Sequence, residues 1–167
     1  MSDLRDRIQA IHVRVSAPDG AITAELANRT QLTLSFARGW YDRCDEGDLE
    51  RRLGSLATLL WTARMRQYWE VRSQDAGERI THEPKPISPR AVAYREAREA
   101  LVAHGRSADD RVSVSVEGMR HWTVRVQRGT VRAVDEYEFA AAAGQAATEL
   151  IQDQYRKIAA LKLEIYG

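Results

Sequence analysis

The chain has 167 residues, 44% hydrophobic and 29% charged, which is typical of a globular protein and excludes a disordered one. Its 25 basic and 24 acidic side chains leave a net charge of +1, which excludes the strongly basic surface of a histone-like coat but permits a local basic patch. The apolar runs are far shorter than the ~20 residues of a membrane span, and the single cysteine, Cys44, excludes an internal disulfide.

The first part of the chain predicts a short helix, three strands and a long helix. A polar helix is expected from about Asp3 to Gln9. Apolar residues then alternate with polar ones, the period of half-buried strands, in the groups Ile11, Val13 and Val15, then Ile22, Ala24 and Leu26, then Leu32, Leu34 and Phe36. Asp45, three residues before Asp48, predicts a helix start. From Leu49 the leucines recur at helical spacing, which predicts a helix to about Arg72.

Three of the four prolines lie close together and predict an extended connector, because proline fixes φ and removes a backbone donor. They are Pro84, Pro86 and Pro89. We therefore expect a first unit at residues 1–74, a linker at 75–87 and a second unit at 88–167.

In the second unit, Ser88 and Pro89 are a good N-cap and first helical residue. They predict a helix to about His104, with Gly105 as its C-terminal stop. Two strands are predicted from the alternation of Val112, Val114 and Val116 and then of Trp122, Val124 and Val126. Asp135 and Glu138 predict a second capping box, at the start of a long final helix that carries apolar residues from Phe139 to Ile165.

The two units align with each other without a gap, residues 21–71 over 111–161 at a constant offset of 90. Any two strand–strand–helix units align in part, but both copies also share an Arg-Gly pair followed by Asp-Glu, which favours a duplication. A unit of this size buries little core alone. The predicted fold is therefore α+β, with two tandem units of antiparallel β-meander plus long helix that form an intramolecular pseudo-dimer.

The segment Ser16-Ala17-Pro18-Asp19-Gly20-Ala21-Ile22, followed by a meander, an acidic cap and a long helix, resembles the YbaB/EbfC family of small nucleoid-associated proteins. The segment from Arg111 to Gly118 is similar. The first unit, with Ala63-Arg64-Met65-Arg66, also resembles small actinobacterial proteins associated with type VII (ESX) secretion. The first resemblance implies a non-enzymatic, dimerising DNA-binding protein, although members of that family carry one unit per chain and this chain carries two.

No pattern of catalytic or metal-binding residues is evident. His12, His82, His104 and His121 lack metal-ligand spacing, and no glycine-rich phosphate loop or nucleophile motif occurs. The acidic residues at the two long helix starts are interpreted as caps that complement the helix dipole. We expect no enzyme activity, no cofactor, no metal, no small-molecule substrate and no pocket for catalysis.

Arginines of the second unit are the candidate nucleic-acid-binding residues, because residues 88–132 hold nine Arg against five acidic residues. The candidates are Arg120, Arg125, Arg128 and Arg132. Trp122 shares the apolar face of its strand and is interpreted as a core residue. A solvated surface of mixed charge is the alternative interpretation of these arginines. Binding through them would be weak, sensitive to salt and independent of sequence.

A second candidate surface lies on the first long helix, where Trp61, Met65, Tyr68 and Trp69 spread over more than one side and predict a protein interface. The alternative function is therefore a protein-binding adaptor or chaperone associated with type VII secretion. Expected partners are DNA, a second copy of the chain or another protein. We expect a cytoplasmic protein, nucleoid-associated if it binds DNA, with no membrane partner.

Overall fold

The computed structural model describes residues 3–167, so the start of the predicted first unit, at residues 1 and 2, lies outside the described residues. The chain has the predicted α+β fold. The helices are α1 (Leu4–Gln9), α2 (Glu46–Ala76), α3 (Pro89–Ala100), α4 (Thr130–Ala133) and α5 (Glu136–Tyr166). The strands are β1 (Val13–Ser16), β2 (Ile22–Ala27), β3 (Gln31–Phe36), β4 (Val102–Arg106), β5 (Val112–Glu117) and β6 (His121–Val126).

The strands form two separate antiparallel sheets, in the orders β1-β2-β3 and β4-β5-β6. At an offset of 90 residues, β2, β3 and α2 correspond at both ends to β5, β6 and α5. The correspondence also includes β1 with β4 and α1 with part of α3. Each unit therefore consists of a helix, a three-stranded meander and a 31-residue helix, and the repeat extends further than the sequence alignment predicted.

The predicted helix from Ser88 to His104 is wrong in its last turn. The helix α3 ends at Ala100, and the residues after Leu101 form β4, which pairs with β5 so that His104 lies opposite Ser115. Gly105 is therefore a strand residue and not a helix stop. Strand pairing prevails here because alternate residues of β4 face α5 and are buried. The short helix α4 was not predicted, and α2 extends to Ala76, beyond the predicted Arg72.

Both long helices pack on both sheets. The helix α2 contacts β1 of its own unit and β6 of the other, while α5 contacts β4 of its own unit and β3 of the other. One main hydrophobic core therefore extends through both units. At one place Phe139 of α5, which is fully buried, lies 6.0 Å from the ring of Phe36 and 5.7 Å from that of Tyr41.

Side chains cap both long helices, as predicted. The Asp45 carboxylate accepts a hydrogen bond from the Asp48 N–H at 2.7 Å, and the Asp48 carboxylate accepts one from the Asp45 N–H at 3.1 Å. At the start of α5, one half of the predicted capping box is present: Asp135 accepts from the Glu138 N–H at 2.8 Å, without the reciprocal bond that α2 has. These acidic residues satisfy amides that have no partner within the helix.

Candidate nucleic-acid interface

Three of the four candidate arginines lie in an exposed segment at the end of β6. Arg125 is on the outer face of β6, Arg128 is in the loop after it, and Arg132 is on α4. All three are exposed. Within residues 3–167, no carboxylate oxygen lies closer than 4.0 Å, the limit for an ion pair, to any of the three guanidinium groups. Their guanidinium groups are thus available to an anion from solution.

The fourth candidate, Arg120, differs from the other three. Its guanidinium group lies 3.5 Å from the Glu99 carboxylate at the end of α3. Its side chain remains 68% exposed, so this pair is weak. A nucleic acid would nevertheless have to compete with Glu99 for Arg120.

The outer face of the second sheet carries a further basic residue, Arg106, that was not among the predicted candidates. The register places Arg106 of β4 and Arg125 of β6 on either side of Ser113. Arg106 is exposed, and its guanidinium group lies 3.6 Å from Asp110. Because residues up to His104 were predicted to be helical, Arg106 was not placed on this face. The alternation of small with polar residues from Ala103 to Arg106 is a weak signal for this strand.

The segment that carries Arg128 and Arg132 is held by an acidic residue of the first unit. The two carboxylate oxygens of Glu46 accept hydrogen bonds from the N–H groups of Gly129 and Val131, at 3.3 and 3.1 Å. Glu46 belongs to the first turn of α2. The first unit therefore positions the arginine segment of the second, and it also places one negative charge beside it.

The predicted protein interface on α2 is partly covered. Trp61, Met65, Tyr68 and Trp69 are each half-buried. Tyr68 and Trp69 are in edge-to-face contact at 4.9 Å, and Tyr68 also packs against the main core. Trp61 lines a cavity between the units. The four side chains do not form one exposed patch.

That cavity has a volume of about 130 Å³ and an almost entirely apolar lining. Both sheets and both long helices contribute to its walls. No pattern in the sequence predicted this cavity. Trp122, which was interpreted as a core residue, is half-buried and lines the cavity.

The thiol and the buried phenol of the first unit are protonated at neutral pH. Burial, reinforced by the nearby Asp48 carboxylate, raises the pKa of Cys44 to about 11. Burial likewise raises the pKa of Tyr41 to about 12, and its hydroxyl donates a hydrogen bond to the Val134 carbonyl at 2.9 Å. Cys44 is therefore a poor nucleophile, and Tyr41 is a structural link between the units.

In the described part of the chain, no group of three or more His, Cys, Asp or Glu side chains is arranged to hold a metal ion. None of the helices between residues 3 and 167 has the length and apolarity needed to cross a bilayer. Comparison of the chain with protein-family models, with curated proteins and with solved structures gives no match.

Proposed function

We propose that this protein binds DNA weakly and without sequence preference, through the arginines at the end of β6 and in the segment after it. The observation that carries the proposal is the exposure of Arg125, Arg128 and Arg132, none of which has a carboxylate partner within residues 3–167. Guanidinium groups match phosphate oxygens in a planar, two-pronged geometry. Three such groups within eight residues of chain provide a small phosphate-binding surface.

The arrangement favours phosphate contacts over base contacts. The three arginines lie on a strand, a loop and a four-residue helix, whereas sequence is usually read by a helix or ribbon inserted in the major groove. Dissociation constants are expected in the range of non-specific binding, about 10⁻⁴ to 10⁻⁶ M at physiological salt.

The resemblance to the YbaB/EbfC family supports the same function. The two units are not equivalent, however, because Arg125, Arg128 and Arg132 correspond at the 90-residue offset to Ser35, Arg38 and Asp42. The pseudo-dimer therefore carries one such surface. A second copy of the chain would be needed to bring two of these surfaces onto DNA.

Fluorescence anisotropy with a labelled duplex, titrated at several salt concentrations, tests the proposal. We expect log K to fall with log [salt] with a slope of about −3, since each phosphate contact contributes roughly −0.9. Changing Arg125, Arg128 and Arg132 together to Ala should abolish the binding. The matched control is Arg38→Ala, which removes the exposed repeat counterpart of Arg128.

Two results would exclude the proposed surface. One is a wild-type protein that binds no DNA even at low salt. The other is a triple variant that binds with the affinity and salt slope of the wild type.

A further inference from the structure

Three residues that line the apolar cavity between the two units each have a buried side-chain polar atom without a hydrogen-bond partner. Arg64 of α2 is only 6% exposed, and one terminal nitrogen of its guanidinium group has no hydrogen-bond partner in the described chain. The same is true of the indole N–H of Trp122 and of the side-chain carbonyl oxygen of Gln154. All three residues line the cavity.

Such atoms are costly to bury. A cation or donor that leaves water without finding a partner destabilises the fold. No carboxylate oxygen of residues 3–167 lies closer than 4.0 Å, the limit for an ion pair, to the Arg64 guanidinium group. The charge of Arg64 therefore lacks a compensating anion inside the protein, at the edge of a space that is otherwise lined by apolar atoms.

We propose that the cavity binds a small carboxylic acid as its anion, with the carboxylate at Arg64 and Trp122 and the apolar body among the core side chains. The guanidinium and the indole N–H are both donors, so they match a carboxylate that accepts from each. The carboxamide of Gln154 has interchangeable ends and adds a third donor when its NH₂ group faces the cavity.

The size and lining of the cavity limit the ligand. Its volume is about 130 Å³, close to the ~150 Å³ of an apolar cavity that admits benzene. An apolar body of about six carbons therefore fits. A phosphate ester is disfavoured, because the walls are almost entirely apolar and the second arginine of the lining, Arg29, is stacked on the Tyr155 ring at 4.1 Å.

The polar groups break the symmetry between the repeated units. At the 90-residue offset, Arg64 corresponds to Gln154, and Trp122 corresponds to Leu32. The cation comes from the first unit and the indole donor from the second. The bound anion would therefore link the two units across their shared core.

Titration of the ¹⁵N-labelled full chain with benzoate and, separately, with hexanoate tests the proposal by NMR. The Trp122 indole N–H signal, assigned by its loss in Trp122→Phe, should shift with at least one acid. Comparison of benzoate with hexanoate shows whether the cavity prefers an aromatic or an aliphatic ligand. Benzyl alcohol and hexanol, which lack the charge, should bind at least about tenfold more weakly, as expected for the loss of a charged hydrogen bond.

Variants show whether the acid binds through the buried guanidinium group of Arg64 or through the overall positive charge of the helix. Arg64→Met should weaken binding of the acid at least about tenfold. Trp122→Phe, followed by the backbone amide signals of the labelled chain, should weaken it several-fold. Arg66→Ala, which removes an exposed arginine of the same helix, should leave the affinity unchanged. We expect Arg64→Met to fold with a higher Tm than the wild type, because it removes an unpaired buried charge.

The proposal is wrong if neither acid shifts the Trp122 signal at millimolar concentration, or if the alcohols bind as tightly as the acids. Equal affinity of wild type and Arg64→Met would also overturn it. If Arg64→Met does not fold, Trp122→Phe and the comparison of acids with alcohols on the wild type still decide the question. Either outcome is independent of DNA binding, since the cavity lies in the core and the arginine segment on the surface.

Discussion

At Gly105 the backbone of β4 passes so close to α5 that no side chain fits between them. A Cβ at this position would lie 1.9 Å from the Ala146 carbonyl oxygen and 2.5 Å from the Leu150 nitrogen. We expect Gly105→Ala to lower the free energy of unfolding by about 3 kcal/mol, because two backbone segments must separate. Urea denaturation measures this change.

Gly54→Ala is the control for that substitution. Gly54 lies inside α2, and apart from the neighbouring backbone of its own helix no atom of the described chain falls within 4 Å of the Cβ it would gain. Alanine stabilises the interior of a helix more than glycine does, so this variant should be more stable than the wild type by about 1 kcal/mol. A Gly105→Ala protein as stable as the wild type would contradict the close approach of β4 and α5.

Asp153 of α5 makes the stability depend on pH. Burial alone would raise the pKa of its carboxyl, but the hydrogen bond from the His104 N–H and the neighbouring Lys157 outweigh it and hold the pKa below the ordinary value of 3.8. The stabilisation by a carboxyl with a lowered pKa is fully present above its pKa in the unfolded chain and is lost as the pH falls through the lower folded value. Asp153→Asn should therefore reduce stability at pH 7 and flatten its decline below about pH 4.

Urea denaturation at a series of pH values, with Asp75→Asn as an exposed control on α2, checks this expectation. If Asp153→Asn loses stability with acid as steeply as the wild type, the carboxylate does not contribute in the proposed way.

Among the elements, those whose apolar period was unambiguous were predicted from the sequence. The alternating segments at β2, β3, β5 and β6 and the leucine-spaced helix α2 are confirmed. The strand β4 was missed because its sequence, Val-Ala-His-Gly-Arg, lacks large apolar residues at the buried positions. Its buried face consists of Ala103 and Gly105, and the reason for such small residues, the overlying helix, becomes visible only in the fold.

In the candidate site, too, the sequence predicts what depends on neighbouring residues but not what depends on residues far along the chain. Exposure of Arg125 followed from the alternation along β6, since its neighbours on both sides are apolar. The pairing of Arg120 with Glu99 and the burial of Arg64 in a cavity depend on residues far along the chain. No local pattern around Arg64 distinguishes it from the exposed Arg66 two residues later.

In the edge strand β6, one backbone N–H is hydrogen-bonded to a side chain of the other unit. Glu50 of α2 accepts a hydrogen bond from the Val126 N–H at 2.9 Å. Glu50→Ala should lower the free energy of unfolding by about 1–2 kcal/mol, because it leaves a partly buried amide without a partner. Glu50→Gln, which retains an acceptor oxygen, should lower the free energy of unfolding less than Glu50→Ala does.

Denaturant unfolding compares the two Glu50 variants, and amide hydrogen exchange at Val126 reports the bond itself. Unchanged exchange in Glu50→Ala would show that the carboxylate does not protect this edge.

In the whole molecule, most buried apolar side chains of both units belong to one shared core, and the second unit adds a small cluster of its own, Ala103, Val116 and Leu150. The helix of each unit packs on the third strand of the other, and Phe139 is buried against two aromatic residues of the first unit. A hydrogen bond from a side chain to the backbone also crosses between the units, since the Thr148 hydroxyl donates to the Thr30 carbonyl at 2.7 Å. The linker between α2 and α3 is mostly exposed, so it connects the units without belonging to their core.

We therefore expect that fragments 1–87 and 88–167 do not fold as separate monomers but combine when mixed. Each fragment alone exposes the apolar face that its partner covers, so it should be unfolded or self-associated. A 1:1 mixture should regain the far-ultraviolet circular dichroism of the intact chain and elute as a heterodimer in size-exclusion chromatography with light scattering. Phe139→Ala in the second fragment should weaken this association strongly, since the truncation of a buried phenylalanine costs about 3–5 kcal/mol, whereas the exposed Tyr137→Ala should not. A fragment 1–87 that unfolds cooperatively as a monomer would show that the first unit is stable without the second.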